Sequence, residues 1–164
     1  MKVIFFHGKE SGPWGSKIRY LAQIAKEHGC RVESDDYAGI NNPDDRVAKF
    51  LKSYSEDGPV VLVGSSMGGY VATVASAAVK PRGLFLMAPA FYMPGYDVQH
   101  IQLPDCPLSI VHGWHDDIVP PENSLRFAEE HNASLHLLDS DHRLNSQLAE
   151  IGGLFGLFLK GLTS

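Results

Sequence analysis

Short apolar runs alternate with longer stretches of helical periodicity along the chain. Val3–Phe6, Val60–Val63, Leu84–Met87, Leu108–Val111 and Leu135–Leu138 are near-continuous apolar segments that read as strands buried on both faces. Cys30–Glu33 carries a fainter version of the same signal. Between them lie segments with apolar residues three and four apart. Ser16–His28 places Ile18, Leu21, Ile24 and Ala25 on one face, and Gly29 supplies a stop. Pro43–Tyr54 opens on a proline, which suits a first helical turn, and groups Val47, Phe50 and Leu51. Met67–Val79, Pro121–His131 and Leu144–Lys160 read as three further helices. Residues 91–106 hold Pro94, Gly95 and Pro104 and read as a loop.

This alternation predicts a parallel sheet with helices on both faces and right-handed crossovers. In such a sheet ligands bind beyond the carboxyl ends of the strands, at the point where the winding direction reverses. The chemically informative residues should therefore follow strands.

The 164 residues suit one domain, and 44% hydrophobic with 20% charged residues is ordinary for a globular chain. A net charge of −5 argues against a nucleic-acid partner, which would call for a basic face. Val3–Phe6 is shorter than a secretory apolar segment, and no stretch reaches the length of a membrane span, so the cytoplasm is the expected location. Cys30 and Cys106 lack metal spacing and read as free core thiols.

The stretch after the Val60–Val63 strand is Gly64-Ser65-Ser66-Met67-Gly68. It fits G-x-S-x-G only when centred on Ser66. A chain turning sharply from strand to helix needs small residues two positions either side of a strained serine. Such an elbow lifts Oγ above the sheet and aims the Met67 amide at the same space, at a helix N-terminus. A Gly/Ser turn that only begins a helix is the plainer alternative. A phosphate-binding loop fits less well, because no Lys-Ser/Thr pair ends the turn.

Serine needs a base. His28 and His131 end helices, His136 lies within a strand and His100 in an unpatterned loop. His142 follows the last strand in Asp139-Ser140-Asp141-His142-Arg143, where a loop can reach back over the sheet. The acid should come from His112-Gly113-Trp114-His115-Asp116-Asp117, after the preceding strand. Chemistry alone leaves Asp116 and Asp117 open, and both could be turn formers. The loop His7-Gly8-Lys9-Glu10 follows the first strand, and a backbone amide there, that of Lys9 foremost, could be a second oxyanion donor worth about 3–4 kcal/mol in the transition state.

Together these features, in the order Ser, Asp, His, resemble the α/β-hydrolase superfamily across nearly the whole chain: HG near the first strand, GSSMGG, HGWHDDIVP and DSDHRL. The likeness is to small lidless serine esterases, close to bacterial esterases of the YqiA type. The resemblance implies a three-layer α/β/α sandwich trimmed to six mostly parallel strands in the order 2-1-3-4-5-6, with no cap domain. It also separates the two aspartates, because the family acid precedes Val-Pro by three residues, which here is Asp116. Two departures stand out. Asp139-Ser140-Asp141 replaces the family's glycine pattern before the histidine, and Lys9-Glu10 replaces the apolar residue common after HG.

The expected chemistry is acyl transfer to water through Ser66, His142 and Asp116, with the amides of Met67 and Lys9 on the oxyanion and no cofactor or metal. An open site favours small or exposed acyl groups of an ester or thioester. Phe91, Tyr92, Met93 and Tyr96 could form an apolar wall or could simply pack. Two alternatives stand beside this. A metal hydrolase could use the H-x-x-H of His112 and His115 with Asp116 and Asp117. A binding domain without catalysis could use the same fold. The apolar Leu154–Leu159 reads as a helix packing on the sheet rather than as membrane contact, and Gly152-xxx-Gly156 suits close helix packing or a dimer contact, which leaves a homo-oligomer open.

Overall fold

Six strands, all parallel, form one sheet in the order β2-β1-β3-β4-β5-β6. The protein is seen in a computed structural model that describes residues 1–163. In chain order the elements are β1 (Lys2–Phe6), α1 (Ser16–Glu27), β2 (Arg31–Ser34), α2 (Pro43–Ser53), β3 (Val60–Ser65), α3 (Met67–Val79), β4 (Gly83–Met87), β5 (Leu108–Gly113), α4 (Pro121–His131), β6 (Ser134–Leu138) and α5 (Leu148–Leu162).

The near-continuous apolar strands split their side chains between two cores, as a period of two requires. On one face Ile4, Phe6, Leu62, Leu84, Leu86 and Ile110 meet Val47 and Phe50 of α2, Tyr70 and Val71 of α3, and Phe127 of α4. On the other, Val3, Phe5, Val61, Val63, Phe85 and Val111 meet Ile18, Leu21 and Ala25 of α1 and Ile151, Phe155 and Leu159 of α5. The result is three layers. Register pairs Phe5 with Val63 and Phe6 with Gly64, so β1 and β3 end side by side and release their following loops next to each other.

Several boundaries differ from the sequence expectation for physical reasons. β2 is an edge strand and runs Arg31–Ser34, with exposed and half-buried residues alternating as one-sided burial demands. The final helix begins at Leu148, not Leu144. Leu144 sits in a left-handed conformation with φ 61°, and a short 3-10 turn at Asn145–Gln147 intervenes. The side chain of Asp141 accepts the Arg143 and Leu144 amides and holds this turn, which delays the helix while the chain crosses the sheet. Two of the α5 glycines pack within the chain: a Cβ on Gly152 would lie 2.6 Å from Tyr20 Cε1 of α1, and one on Gly156 would lie 3.5 Å from His28 Cε1.

Residues 88–107, between β4 and β5, carry no helix or strand, and no cap domain stands over the sheet among the described residues. This segment is tied down instead. The Tyr70 hydroxyl donates to Asp44 Oδ1 at 2.5 Å and accepts the Val98 amide at 3.0 Å. Asp44 Oδ2 accepts the Asp97 amide, and Asn123 Nδ2 donates to Phe91 O. Among the described residues no helix is long and apolar enough to cross a membrane.

Candidate active site

The turn from β3 into α3 holds Ser66 at φ 55°, ψ −120°, a conformation that L-residues enter only under constraint. The surroundings impose it. Ser66 N donates to Met87 O on β4, and Ser66 O accepts the Gly69 and Ala90 amides. A side chain on Gly64 would collide with the Gly68 carbonyl, and one on Gly68 with the Phe6 carbonyl. The glycines of the motif thus permit α3 to pass directly over the end of β1.

The loop after β6 carries His142 over the sheet. His142 Nε2 stands 2.9 Å from Ser66 Oγ, and His142 Nδ1 stands 2.6 Å from Asp116 Oδ2. A neutral ring that donates from Nδ1 to a carboxylate accepts at Nε2, where the serine hydroxyl donates to it. In place of glycines, the stretch before His142 is fixed by polar contacts. Trp114 N donates to Leu138 O, His115 N to Ser140 O, and Ser140 Oγ meets Ser146 Oγ. Gly113 is the glycine that lets β5 approach, since a Cβ there would strike the carbonyl of Ser140.

The structure places Asp116 on His142 and leaves Asp117 exposed at the rim of the cleft. Asp116 Oδ1 accepts the amides of Ile118 at 2.9 Å and Val119 at 2.8 Å. Its Oδ2 also takes a second imidazole: His112 Nε2 lies 2.8 Å away. That nitrogen faces only acceptors, Asp116 and Val119 O, so it carries a proton, while Nδ1 meets Ser124 Oγ at 2.7 Å. Burial pushes the Asp116 carboxyl up, but the hydrogen bonds from His112, His142, Val119 and Ile118 outweigh it and hold it well below the usual carboxylate range.

His112 and His115, the H-x-x-H pair, have separate partners. His112 is fully buried on Asp116, whereas His115 is exposed and bonded to Asp139. Among the described residues no group of three or more His, Cys, Asp or Glu side chains is placed to hold a metal ion.

Ser66 and His142 open into a cavity of about 620 Å³, a size that suits a small ligand. Gly8, Lys9, Met67, Met93, Tyr96 and Ile118 are among the residues that line it. The Met67 and Lys9 amides donate to no protein acceptor among the described residues. Phe91 and Tyr92 lie elsewhere. Phe91 is core, stacked on Phe127 with centroids 3.8 Å apart, and Tyr92 donates to Glu130 beneath the Arg126 guanidinium.

Two residues beside the site escaped sequence reading. Lys17, in the first turn of α1, lines the cavity and donates to Arg143 O at 3.0 Å. Burial lowers its amine to about 8 against the pull of Asp141 and Asp116. Arg46 of α2 is fully buried behind the His7–Gly8 loop. Neither residue sits in a motif, and both read in the sequence as polar positions on amphipathic helices.

The three-layer architecture with a strained serine after β3, an aspartate after β5 and a histidine after β6 is that of an α/β hydrolase. The chain belongs to this family: residues 17–150 match the family model described as an alpha/beta hydrolase domain. It is similar to a solved structure from Xanthomonas campestris pv. campestris, described as a hydrolase of the alpha/beta superfamily, with 32% identity, 98% coverage of both chains and a TM-score of 0.88. A second structure from Xanthomonas campestris, a serine hydrolase without a lid, superposes with a TM-score of 0.73 at 22% identity, covering 96% of this chain and 80% of the other. Among curated proteins, the mitochondrial palmitoyl-protein thioesterase ABHD10 of Bos taurus is 24% identical over 88% of this chain. The chain spans 68% of that bovine relative and 60% of its Homo sapiens counterpart.

Proposed function

We propose that this hydrolase is a serine esterase or thioesterase that cleaves small or exposed acyl groups through an acyl-enzyme on Ser66. The observation that carries this reading is the chain of contacts from Ser66 Oγ to His142 Nε2 at 2.9 Å and from His142 Nδ1 to Asp116 Oδ2 at 2.6 Å, facing an open cavity. His142 takes the hydroxyl proton as Ser66 Oγ attacks the acyl carbonyl. Asp116 fixes the ring so that Nε2 is the basic nitrogen, and stabilises the imidazolium that forms. The Met67 and Lys9 amides receive the developing oxyanion. His142 then returns its proton to the leaving oxygen or sulfur. In the second half-reaction it takes a proton from the water that attacks the acyl-enzyme and returns it to Ser66 Oγ as the acyl–Oγ bond breaks and the carboxylic acid leaves.

Met93 and Tyr96 form part of the apolar wall against which the acyl group lies. Similarity to palmitoyl-protein thioesterases makes acyl thioesters the first substrates to try, with short-chain esters beside them. The deciding experiment is intact mass after treatment with a fluorophosphonate. One adduct on the native protein and none on Ser66→Ala supports the reading. Adducts on both would move the nucleophile, with Ser65 the first residue to examine. A folded protein that takes no adduct would sink the serine mechanism.

A further inference from the structure

Arg46 is 1% exposed, and among the described residues no carboxylate lies within ion-pair distance of it. A buried charge of this kind is costly, and most are paired with an acid. Arg46 instead uses its donors on backbone carbonyls. Nε donates to Ile40 O at 2.7 Å, and one terminal nitrogen donates to His7 O at 3.0 Å and Gly8 O at 3.3 Å. The guanidinium carbon stands 5.6 Å from the centre of the Tyr37 ring.

His7 grips the same peptide. Its ring is fully buried, and Nε2 accepts the Tyr37 amide at 2.9 Å. That leaves the ring proton on Nδ1, which donates to Gly8 O at 2.7 Å. Burial first, with the nearby Arg46 charge, lowers the affinity of this imidazole for a second proton, which preserves the tautomer. The Gly8 carbonyl is thus held from behind by two donors.

The chain has no cis peptide bond among the described residues, so the C=O of Gly8 and the N–H of Lys9 point in opposite directions across one planar unit. With the carbonyl anchored toward Arg46 and His7, the Lys9 N–H faces away from both, and Gly8, Lys9, Ser66 and Met67 all line the cavity. Gly8 itself lies close against the nucleophile, since a Cβ there would be 3.5 Å from Ser66 Cβ. We infer that Arg46 is a positioning residue for the oxyanion site: with His7 it locks the Gly8–Lys9 peptide so that the Lys9 amide faces the reacting carbonyl, and its charge polarises that peptide toward an incoming negative oxygen. Arg46 does not line the cavity and acts only through the peptide. A hydrogen bond accepted by a peptide oxygen strengthens the donor at the other end of the same unit, and the effect is larger away from water.

This inference rests on the serine mechanism proposed above, and its test separates the two. The probes are p-nitrophenyl acetate turnover and the second-order rate of Ser66 labelling by a fluorophosphonate. They are measured on native protein, Arg46→Met, Lys9→Pro and the double variant, each checked for a cooperative thermal transition. Lys9→Pro deletes the donor itself and should lower both rates about 100-fold. Arg46→Met should lower both about tenfold or more, and the double variant should be no slower than Lys9→Pro alone, because the arginine acts through the amide that the proline has removed. Where Arg46→Met does not fold, Arg46→Lys takes its place. It keeps the charge but cannot span Ile40 O and the loop carbonyls together, and it should still lose at least fivefold. Full rates in a folded Arg46 variant, or losses that multiply in the double variant, overturn the inference while leaving the serine mechanism standing. A native protein that Ser66-directed probes do not label overturns both.

Discussion

His112 Nε2 lies 2.8 Å from Asp116 Oδ2, the same oxygen that receives His142. One carboxylate therefore serves two imidazoles, one buried and one facing the cleft. Replacing His112 with phenylalanine keeps a flat ring and deletes the donor. Asp116 is then less satisfied and binds the His142 imidazolium more tightly. The acidic limb of the kcat/KM profile should move to higher pH, and the rate at the optimum should fall about tenfold. The orphaned Ser124 hydroxyl and Val119 carbonyl should cost about 1–3 kcal/mol of stability, read from urea unfolding. An unmoved limb in a folded variant would show that His112 serves packing alone.

Acid stability should report the same carboxyl. Asp116 is held below the ordinary carboxylate range in the folded chain. A depressed folded value means that the unfolded state binds the proton first, so stability from this group is complete above a pH of about 4 and drains away as pH falls below it. Asp116→Asn should be less stable than native at pH 7, and the gap should narrow in unfolding curves taken below pH 4. A gap that stays constant down to pH 2 contradicts the assignment.

Ser66 sits at φ 55°, and the strain there is a reservoir. Ser66→Gly should relieve it and raise stability by about 1 kcal/mol, which is about 2–4 °C in Tm for a chain of this size. Ser66→Ala retains the strained backbone and should gain nothing of the kind. Differential scanning calorimetry on the pair separates the two.

Gly113→Ala should displace the loop that carries His142, because the new methyl meets the Ser140 carbonyl. Overpacking of backbone against backbone costs about 1–3 kcal/mol, and a shift of about 1 Å in the proposed base can cost 100-fold in rate. Gly12→Ala, where a Cβ meets nothing within 4 Å, is the matched control and should leave both properties intact.

Lys17 should titrate near 8, against an ordinary lysine value of 10.5. The check is its 13C-methyl chemical shift after reductive methylation, assigned by loss of the signal in Lys17→Met. The slope has the same sign as for Asp116, since both groups hold their proton less tightly in the folded chain. Between pH 8 and 10.5 the unfolded chain holds a proton that the folded chain has released, so stability from this group rises with pH in that window. Lys17→Met should flatten the rise.

The architecture was readable because buried parallel strands announce themselves as continuous apolar runs and the helices as three-and-four spacing. Ser66 was readable because its glycines are required by collisions that sequence spacing reflects: only a bare backbone passes at Gly64 and Gly68. The pairing of Asp116 with His142 needed the family pattern, since two adjacent aspartates are chemically equal until one is buried. Arg46 gave no signal, because an arginine between Asp45 and Val47 looks like a solvated helix position, and nothing local reveals that two distant carbonyls will claim it. The H-x-x-H spacing of His112 and His115 is equally silent about contacts. One lies on β5 and the other in the turn after it, so their rings meet different neighbours. Phe91 and Tyr92 belong to an irregular segment, where no periodicity says which side chains turn inward. Leu144 continued an apolar spacing that the Asp141 turn interrupts.

The tethering of residues 88–107 by Tyr70 and Asp44 has a kinetic consequence. Lipases whose mouth is covered wake only at an oil–water boundary, and their rate jumps once substrate forms droplets. Here the segment that could cover the mouth is bolted to α2 and α3 from the outset. Turnover should follow a plain hyperbola in dissolved substrate, with no jump at the critical micelle concentration, and detergent should bring inhibition rather than arousal.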